Sequence, residues 1–230
     1  MRYAMAAIFC LTLCAAATAD RTLISDTFDF QGEWLGSSGT WETTDGELHQ
    51  LDAAERIATV TRIVRQSGEL LYEFDLRYLK GFDDGYGGFG IHILIDAPTG
   101  LRSWGQNASY LLWITHDVDE YKTLDLHAHV YRSTGITRMD YHRMEGDEYR
   151  IPPTILSVAA MEQRAHSGEP IRVRFLVDTA AGTGRLYHPD KNGVYYDLDF
   201  GASLGGGSYI ALRTNSLSVA FDNVTVTRLD

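Results

Sequence analysis

Apolar and polar residues alternate along many short segments of this 230-residue chain. The pattern runs through residues 70–78, 89–95, 124–131, 171–177 and 194–200, where every second position is mostly aliphatic or aromatic. A period of two with one apolar face is typical of strands in antiparallel sheets that pack on one side. The sequence therefore predicts a protein built mainly from antiparallel strands.

Turn and helix signals agree with an all-β fold. The chain contains 22 glycines, which favour tight turns between short strands. Only residues 154–164 (TILSVAAMEQR), which follow two prolines, have a helical composition. We find no linker and no fixed repeat that divides the rest. Residues 20–230 are therefore predicted to form one domain, a two-sheet antiparallel β-sandwich, with a short helix or excursion between strands over 154–164.

Residues 1–19 have the pattern of a secretory signal peptide. Arg2 supplies a positive start, residues 4–17 are apolar apart from Thr12, and the segment 17–19 (ATA) matches a small-x-small cleavage site. The apolar run is short for a bilayer-spanning helix, and no later stretch is long enough either. The sequence predicts a cleaved signal, a secreted or periplasmic location and no transmembrane segment in the mature chain.

Both cysteines, Cys10 and Cys14, lie within this signal. The domain that follows therefore has no disulfide, no thiol nucleophile and no cysteine ligand for a metal. An alternative interpretation makes Cys14 a lipidation site, although the bulky Leu13 is unusual just before such a cysteine. That alternative stays open here.

The charge of the chain is strongly acidic. Because Arg2 is the one charged residue of segment 1–19, the remainder has 19 basic and 31 acidic residues, a net charge of −12. A chain this acidic repels phosphate backbones and anionic lipid surfaces. We therefore expect no nucleic-acid partner and no membrane-surface partner, whereas neutral sugars and cations stay compatible with the charge.

Five segments resemble the concanavalin A-like lectin/glucanase jelly-roll superfamily. They are 25–29 (SDTFD), Trp34, 39–48 (GTWETTDGEL), 70–77 (LLYEFDLR) and 221–226 (FDNVTV). Within that superfamily the chain looks nearest to the laminin-G-like and keto-disaccharide-hydrolase-like domains of secreted bacterial proteins. The resemblance reaches both ends of the mature chain and implies a concanavalin A-like jelly roll.

The closing segment also predicts a β-bulge. The apolar phase steps by three residues from Phe221 to Val224, so one extra residue is expected at Asp222-Asn223. In the glucanases that the chain resembles, the corresponding Asp helps to hold a structural calcium. The resemblance therefore implies a calcium site at Asp222, Asp26 and Gly46, and the alternative is that Asp222 only caps the bulge. Calcium accepts carbonyl and water oxygens as well as carboxylates.

The same resemblance argues against glucanase chemistry. Retaining glucanases of this superfamily place three acids on one strand face as E-x-D-x-E, which supplies a nucleophile and an acid/base. Here Glu73 and Asp75 match the first two acids, but Arg77 stands at the third position. Arginine keeps its proton near neutral pH and cannot be the acid/base. We expect Arg77 instead to form an ion pair with Glu73 or Asp75 along the strand.

A second set of residues keeps an enzyme possible. His127, His129 and Tyr131 share one phase of a predicted strand, and His92 lies on the polar phase of another. Alternate histidines can bind zinc if a third ligand converges, and with Tyr131 they can act as acid and base in a polysaccharide lyase or hydrolase. The alternative is that these rings simply suit a half-buried strand face.

Aromatic residues suggest recognition without turnover, because flat rings stack on sugar faces while polar groups meet the hydroxyls. Residues 85–90 (GYGGFG) are predicted to form a hairpin loop whose small residues allow close approach. The candidate ligand-binding residues are Asp75, Arg77, Tyr86, His92, Trp104, Tyr110, Trp113, His127, His129 and Tyr131.

Three functional hypotheses follow from the sequence. The first is a secreted, non-catalytic β-sandwich that binds carbohydrate along one sheet. The second is a glycan-active enzyme, a glycoside hydrolase or polysaccharide lyase, that uses the His/Tyr face. The third is an adhesion or structural module for protein partners, for which the sequence carries no positive marker.

Overall fold

The computed structural model describes residues 20–29, 32–142 and 154–229. The predicted signal 1–19, with Cys14, lies outside these described residues. These described residues form two antiparallel sheets of eight strands each, here called sheet A and sheet B, which pack face to face. The predicted two-sheet antiparallel β-sandwich is confirmed.

Sheet A contains the N-terminal strand, the N-terminal hairpin and the closing strand. Its strands are β1 (Arg21–Asp26), β3 (Trp41–Thr44), β4 (Glu47–Gln50), β6 (Glu69–Gly81), β12 (Ile171–Asp178), β13 (Thr183–Tyr187), β14 (Tyr195–Asp199) and β16 (Leu217–Leu229). Their order is β14-β13-β12-β6-β16-β4-β3, and β1 pairs with the second half of β16.

Sheet B contains the middle of the chain. Its strands are β2 (Leu35–Ser38), β5 (Ala58–Gln66), β7 (Tyr86–Ile95), β8 (Asn107–Asp117), β9 (Asp125–Gly135), β10 (Met139–His142), β11 (Thr154–Ser157) and β15 (Gly207–Asn215). Their order is β10-β9-β8-β7-β15-β5-β2, and β11 pairs with β9. Helices α1 (Val118–Tyr121) and α2 (Val158–Ser167) connect strands.

The core lies between the two sheets and follows the alternation in the sequence. In β6 the buried positions include Leu70, Tyr72, Phe74 and Leu76, and the core side of β7 includes Phe89 and Ile91. Burial of one phase removes apolar area from water, which stabilises the fold by about 25 cal/mol per Å² of apolar surface. In β7, β8 and β9 both phases are largely buried, so most side chains on the outer face of sheet B are shielded from water as well.

The closing strand contains the predicted bulge. The register of β16 against β6 shifts between Asp222 and Thr225, and Asn223 has a positive φ of 48°. Two residues therefore leave the regular pleat at the predicted position, so the bulge is confirmed.

Two local predictions differ from the structure. The helix begins at Val158 rather than at Thr154, because the residues before it pair with β9 and the Ser157 hydroxyl caps the helix by accepting from the Ala160 N–H at 3.1 Å. The glycine-rich segment predicted as a loop is the first half of β7, preceded by a turn at Gly85.

The described residues contain no helix that is both long and apolar enough to cross a membrane.

Candidate ligand-binding groove

Strand register assembles one row of side chains across the outer face of sheet B. Arg213 of β15 is opposite Gly90 of β7, which is opposite Trp113 of β8, which is opposite His129 of β9. Directly opposed residues point to the same face of a sheet. The row therefore brings together an arginine, a tryptophan and a histidine that are far apart in the sequence.

Glycines in β7 explain why Trp113 and Arg213 meet. A methyl group at Gly88 would lie 2.7 Å from Cε2 of Trp113, and one at Gly90 would lie 3.1 Å from its Cε3. The indole ring thus occupies the space that a side chain at Gly88 would fill, and at Gly90 it does so together with the Leu112 backbone. Its centroid lies 5.3 Å from Cζ of Arg213. The missing side chains of β7 therefore allow strands β8 and β15 to interact across it.

Arg213 lies at the bottom of this surface and is only 1% exposed. The ring of Trp104 is its second aromatic neighbour, 5.0 Å from Cζ. The Arg213 Nε–H donates to Oδ1 of Asn215 at 3.1 Å, and an Nη1–H donates to the Trp104 carbonyl. Among the described residues, no carboxylate forms an ion pair with Arg213.

The environment of Arg213 leaves its charge only partly compensated. Desolvating an ion inside a protein costs roughly several kcal/mol. A cation–π contact contributes about 0.5–2 kcal/mol, so two indole rings offset only part of that cost. Burial lowers the pKa of Arg213 to about 10, against the smaller opposing effects of Tyr86 and Tyr131. The guanidinium therefore stays cationic at neutral pH.

A groove of about 390 Å³ opens above this row. Trp104 is 46% exposed and presents an aromatic face to solvent. The acidic residues of the groove come from the end of β8 and from α1. The lining residues are Tyr86, Trp104, Leu111, Trp113, Thr115, Asp117, Glu120, Tyr121, Tyr131, Thr137, Met139 and Arg213.

A histidine and tyrosine cluster borders the groove. The hydroxyl of Tyr121, in α1, lies 2.7 Å from Nε2 of His129, and its ring lies 4.2 Å from that of His127. Burial, together with the charge of His127, lowers the pKa of His129 to about 3. The His129 imidazole is therefore neutral at physiological pH, and its Nε2 forms a hydrogen bond with the Tyr121 hydroxyl.

His92 lies on the same outer face but does not line the groove. It is fully buried opposite Leu111, with Nδ1 at 3.4 Å from the Ser109 hydroxyl. Its Nε2 has no hydrogen-bond partner within the described part of the chain. Burial lowers the pKa of His92, and the nearby Arg213 lowers it further. His92 therefore lies under the surface as a neutral side chain.

The structure does not bring all ten predicted ligand residues to one place. Tyr86, Trp104, Trp113 and Tyr131 line the groove. His127 and His129 contact its border through Tyr121. The other four predicted residues are His92, Tyr110, Asp75 and Arg77.

Tyr110 lies on the core side of sheet B. It is opposite Ile93 in the register, and its ring contacts Phe200 edge-on at 4.9 Å. Leu111 and Trp113 point to the outer face, and neighbouring residues of a strand point to opposite faces, so Tyr110 points to the core. Its ring therefore contributes to packing between the sheets.

Asp75 and Arg77 lie on the outer face of sheet A, across the sandwich from the groove. Arg77 does not pair with Glu73 or Asp75, as the sequence suggested; it binds Glu47, with Nε at 3.0 Å from Oε1. It reaches Glu47 past Ala220 of β16, whose small side chain leaves room. Arg172 takes the predicted role instead, with Nη1 at 3.2 Å from Oδ1 of Asp75.

The residues predicted to bind calcium are placed unequally. Asp26 accepts from the Trp34 Nε1–H at 2.9 Å and forms an ion pair with Arg62, so its carboxylate is in use. A Cβ at Gly46 would lie 3.4 Å from Oδ1 of Asp29 and 3.8 Å from the Thr27 carbonyl oxygen.

Asp222 lies close to several acids. Burial raises its pKa, and the nearby carboxylates of Asp75, Glu47 and Asp29 raise it further, against one backbone hydrogen bond that lowers it. In residues 20–29, 32–142 and 154–229, no three histidine, cysteine or acidic side chains are grouped for a metal. The oxygens near Gly46 belong to the Asp29 carboxylate and the Thr27 carbonyl.

Sequence reasoning missed Arg213 and Tyr121. The sequence did offer a sign of Arg213. This residue directly follows the apolar residues 210–212 within a strand, and its phase is opposite to that of Ile210 and Leu212. The sequence offered no such sign of Tyr121, since a four-residue helix after β8 places it over the histidines.

Comparison with known proteins gives the fold a name. No protein-family profile matches the sequence, and no curated protein matches it. The solved structures do match. The carbohydrate binding module CBM66 from Bacillus subtilis aligns with a TM-score of 0.54 and 14% identity, over 84% of this chain and 94% of that one. The chain has the concanavalin A-like jelly-roll fold.

Two further structures with this fold extend the comparison. The CBM2 module of the evolved Dit protein of Lactobacillus casei BL23 phage J-1 aligns with a TM-score of 0.60 and 8% identity, over 92% and 97% of the two chains. The Bacillus licheniformis beta-glucanase aligns with 0.53 and 10%, over 90% and 98%. Identities this low show the concanavalin A-like fold alone, and the predicted jelly roll is confirmed.

Proposed function

We propose that this protein is an exported, non-catalytic glycan-binding β-sandwich and that the groove on sheet B binds the glycan. The observation that carries the proposal is an exposed Trp104 face beside a groove of about 390 Å³ lined by aromatic and polar groups. Sugar rings bury their C–H faces on aromatic rings while their hydroxyls need polar partners. Binding sites of this kind combine apolar walls with a few oriented polar groups.

Relatives by fold support the same class of function. Two of the aligned structures are named as carbohydrate-binding modules, and a third is a glucanase. The fold therefore hosts both binding and hydrolysis, and fold alone does not choose between them. The choice rests on the residues of this chain.

Placement of the acids supports binding without turnover. Glu73 and Asp75 lie on sheet A and are bound by Arg172, on the opposite side of the sandwich from the groove. In the groove, Asp117 and Glu120 come from the same end, and Asp117 accepts from the Glu120 N–H at 2.9 Å. A retaining glycosidase needs two carboxyl groups about 5 Å apart on either side of the scissile bond.

Binding to a panel of polysaccharides and defined oligosaccharides tests the proposal. We expect Trp104→Ala and Trp113→Ala each to weaken binding at least about tenfold, which corresponds to about 1.4 kcal/mol. Tyr195→Ala is the matched control, because Tyr195 is an exposed aromatic residue of sheet A. Isothermal titration calorimetry gives the affinities. A correctly folded protein that binds no glycan, or binds it equally well without both tryptophans, contradicts the proposal.

A glycan-active enzyme is the second candidate, and the Tyr121–His129 contact favours it. A neutral imidazole at 2.7 Å from a tyrosine hydroxyl can move a proton at the border of the groove. Reducing-end assays and absorbance of unsaturated products measure turnover on the same panel. Turnover that is lost in Tyr121→Phe and in His129→Gln would replace the non-catalytic proposal with this one.

We also propose a structural calcium at the N-terminal turn. The Thr27 carbonyl, the backbone near Gly46 and the carboxylates of Asp29 and Asp222 would hold it, whereas Asp26 is bound to Arg62. Hard oxygen donors suit calcium, and a cation would offset the repulsion among these acids.

Thermal unfolding with calcium and then with a chelator tests this ion. We expect calcium to raise the Tm of the wild type by several degrees, because an ion that binds only the native state stabilises it. The shift should disappear in Asp222→Asn and persist in Asp119→Asn, an acid that lies in α1. A wild-type Tm that calcium does not change contradicts this part of the proposal.

A further inference from the structure

Arg213 is a buried cation that lines the proposed binding groove, and no counterion pairs with it among the described residues. It is 1% exposed, whereas Arg62 and Arg77, which are also largely covered, each bind a carboxylate. Buried charges in proteins are usually paired. Within the described ranges no acid lies within ion-pair distance of Arg213. The fold thus leaves a positive charge where a ligand is expected.

The hydrogen bonds of Arg213 to the described residues use only some of its N–H groups. A guanidinium has five N–H donors. The Nε–H donates to Asn215 and one Nη1–H donates to the Trp104 carbonyl. The described residues provide no acceptor for the other N–H groups of Nη1 and Nη2, which form one edge of the guanidinium. That edge has the fork geometry that matches the two oxygens of a carboxylate.

We propose, on the basis of the glycan-binding function above, that the ligand is an acidic glycan and that the carboxylate of a uronic acid residue binds Arg213. The two indole rings pack against the guanidinium, with centroids 5.0 and 5.3 Å from Cζ. Because the N–H donors of a guanidinium lie in its plane, a carboxylate approaches at the edge, in that plane. The uronic acid ring, which carries this carboxylate, then lies beside the exposed Trp104.

Asp117 and Glu120 lie at one end of the groove, away from Arg213, so they leave the site at Arg213 open to an anionic ligand. Asp117 is opposite Tyr86, whereas Arg213 is in the row of Trp113, four residues earlier in β8. Four residues of a strand span roughly 13 Å. The groove therefore has a cationic centre and an acidic end. This asymmetry places the carboxylate at Arg213 and leaves hydroxyl groups, which donate hydrogen bonds, for Asp117.

Oligosaccharides that differ only in the carboxylate test this inference on the wild-type protein. Tetra- to hexasaccharides of galacturonate, glucuronate, mannuronate and guluronate are each compared with their carboxyl-reduced, neutral counterparts by calorimetry. Sulfated neutral oligosaccharides form a third arm, because a sulfate ester offers an anion with a different geometry. We expect at least one uronate to bind about tenfold or more tightly than its reduced form and than the sulfated glycans.

Variants of Arg213 then test whether this residue makes the distinction. In Arg213→Met we expect the acidic and neutral forms of the same oligosaccharide to bind equally, whatever happens to the affinity for both. Arg213→Lys keeps a charge without the fork, so it should retain only part of the ratio, and it is the second variant to measure if Arg213→Met does not fold. The control is Arg185→Gln, because Arg185 stacks on Tyr195 at 4.6 Å on sheet A. It should leave the ratio unchanged.

The outcomes separate this inference from the proposed function. Neutral glycans that bind as tightly as uronates overturn the inference and leave glycan binding intact. Preference for sulfated glycans overturns the carboxylate as the ligand group. Failure to bind any glycan, acidic or neutral, overturns both. A wild-type preference for uronates that persists in Arg213→Met and in Arg213→Lys shows that another residue recognises the carboxylate and also overturns the inference.

Discussion

His129 and His92 are both buried on the outer face of sheet B, and burial keeps each imidazole neutral. The pKa of His129 is about 3 in the folded protein, compared with 6.5 for a free histidine. The unfolded chain therefore binds a proton between these two values, while the folded chain does not. Stability must fall as the pH decreases through this window, by up to about 1.4 kcal/mol per pH unit for one such group.

Replacing this histidine should make stability less dependent on pH. In His129→Gln we expect the slope of unfolding free energy between pH 4 and pH 6 to decrease by up to about 1.4 kcal/mol per pH unit, because one proton uptake is removed. Urea unfolding followed by tryptophan fluorescence at each pH measures this slope. His166→Gln, at an exposed position of α2, is the control. An unchanged slope in His129→Gln would show that His129 titrates normally in the folded protein.

Strand β7 shows how one element positions groups from two others. Gly88 and Gly90 lie on its outer face, so the indole of Trp113 packs flat over them and reaches Arg213 of β15. A glycine inside a strand usually weakens it, and such a glycine marks a close approach of another group. The groove thus depends on two side chains that are absent.

Filling that space should damage the groove and the fold together. We expect Gly88→Ala to destabilise the protein by about 1–3 kcal/mol, because the new methyl group overlaps the Trp113 ring. Glycan affinity should fall along with stability, since the ring has to move. Gly135→Ala, where an added methyl group meets nothing within 4 Å, is the control. Chemical denaturation and calorimetry measure both effects, and equal stabilities of the two variants would contradict the packing described here.

Across the whole sandwich, the two outer faces have different chemistry. The outer face of sheet A has cross-strand ion pairs such as Arg77–Glu47, Arg172–Asp75 and Arg174–Glu73. The outer face of sheet B has rings, histidines and an arginine without a carboxylate partner among the described residues. The core between them separates the faces, so a substitution on one should not reach the other.

Because the two outer faces are separated, a substitution of Arg77 should change the stability of the protein but not its glycan affinity. In Arg77→Leu we expect a loss of roughly 1 kcal/mol in unfolding free energy, because a partly exposed ion pair contributes little. Glycan affinity should stay within about twofold of the wild type, since independent distant sites do not couple. Denaturation and calorimetry on the same preparations test this. A large loss of glycan affinity would assign the ligand to sheet A.

Much of the fold was predictable from local patterns, but which side chains share an outer face of the sandwich was not. Strands β6, β7 and β12 follow from alternation, and the bulge in β16 follows from its three-residue step. The helix predicted over 154–164 begins four residues later, at Val158, because pairing of β11 with β9 is a tertiary contact. Tyr110 was grouped with Trp113 although the register places the two rings on opposite faces of sheet B.

Alternation with a period of two follows from backbone geometry within each strand, so the amino-acid order alone was enough to predict an antiparallel sandwich with an apolar core. It could not predict which strands become neighbours, because pairing joins residues that are distant along the chain. Only the folded order of sheet B places β15 beside β7, and with it Arg213 beside Trp113. The binding groove exists because long-range strand pairing brings these residues together.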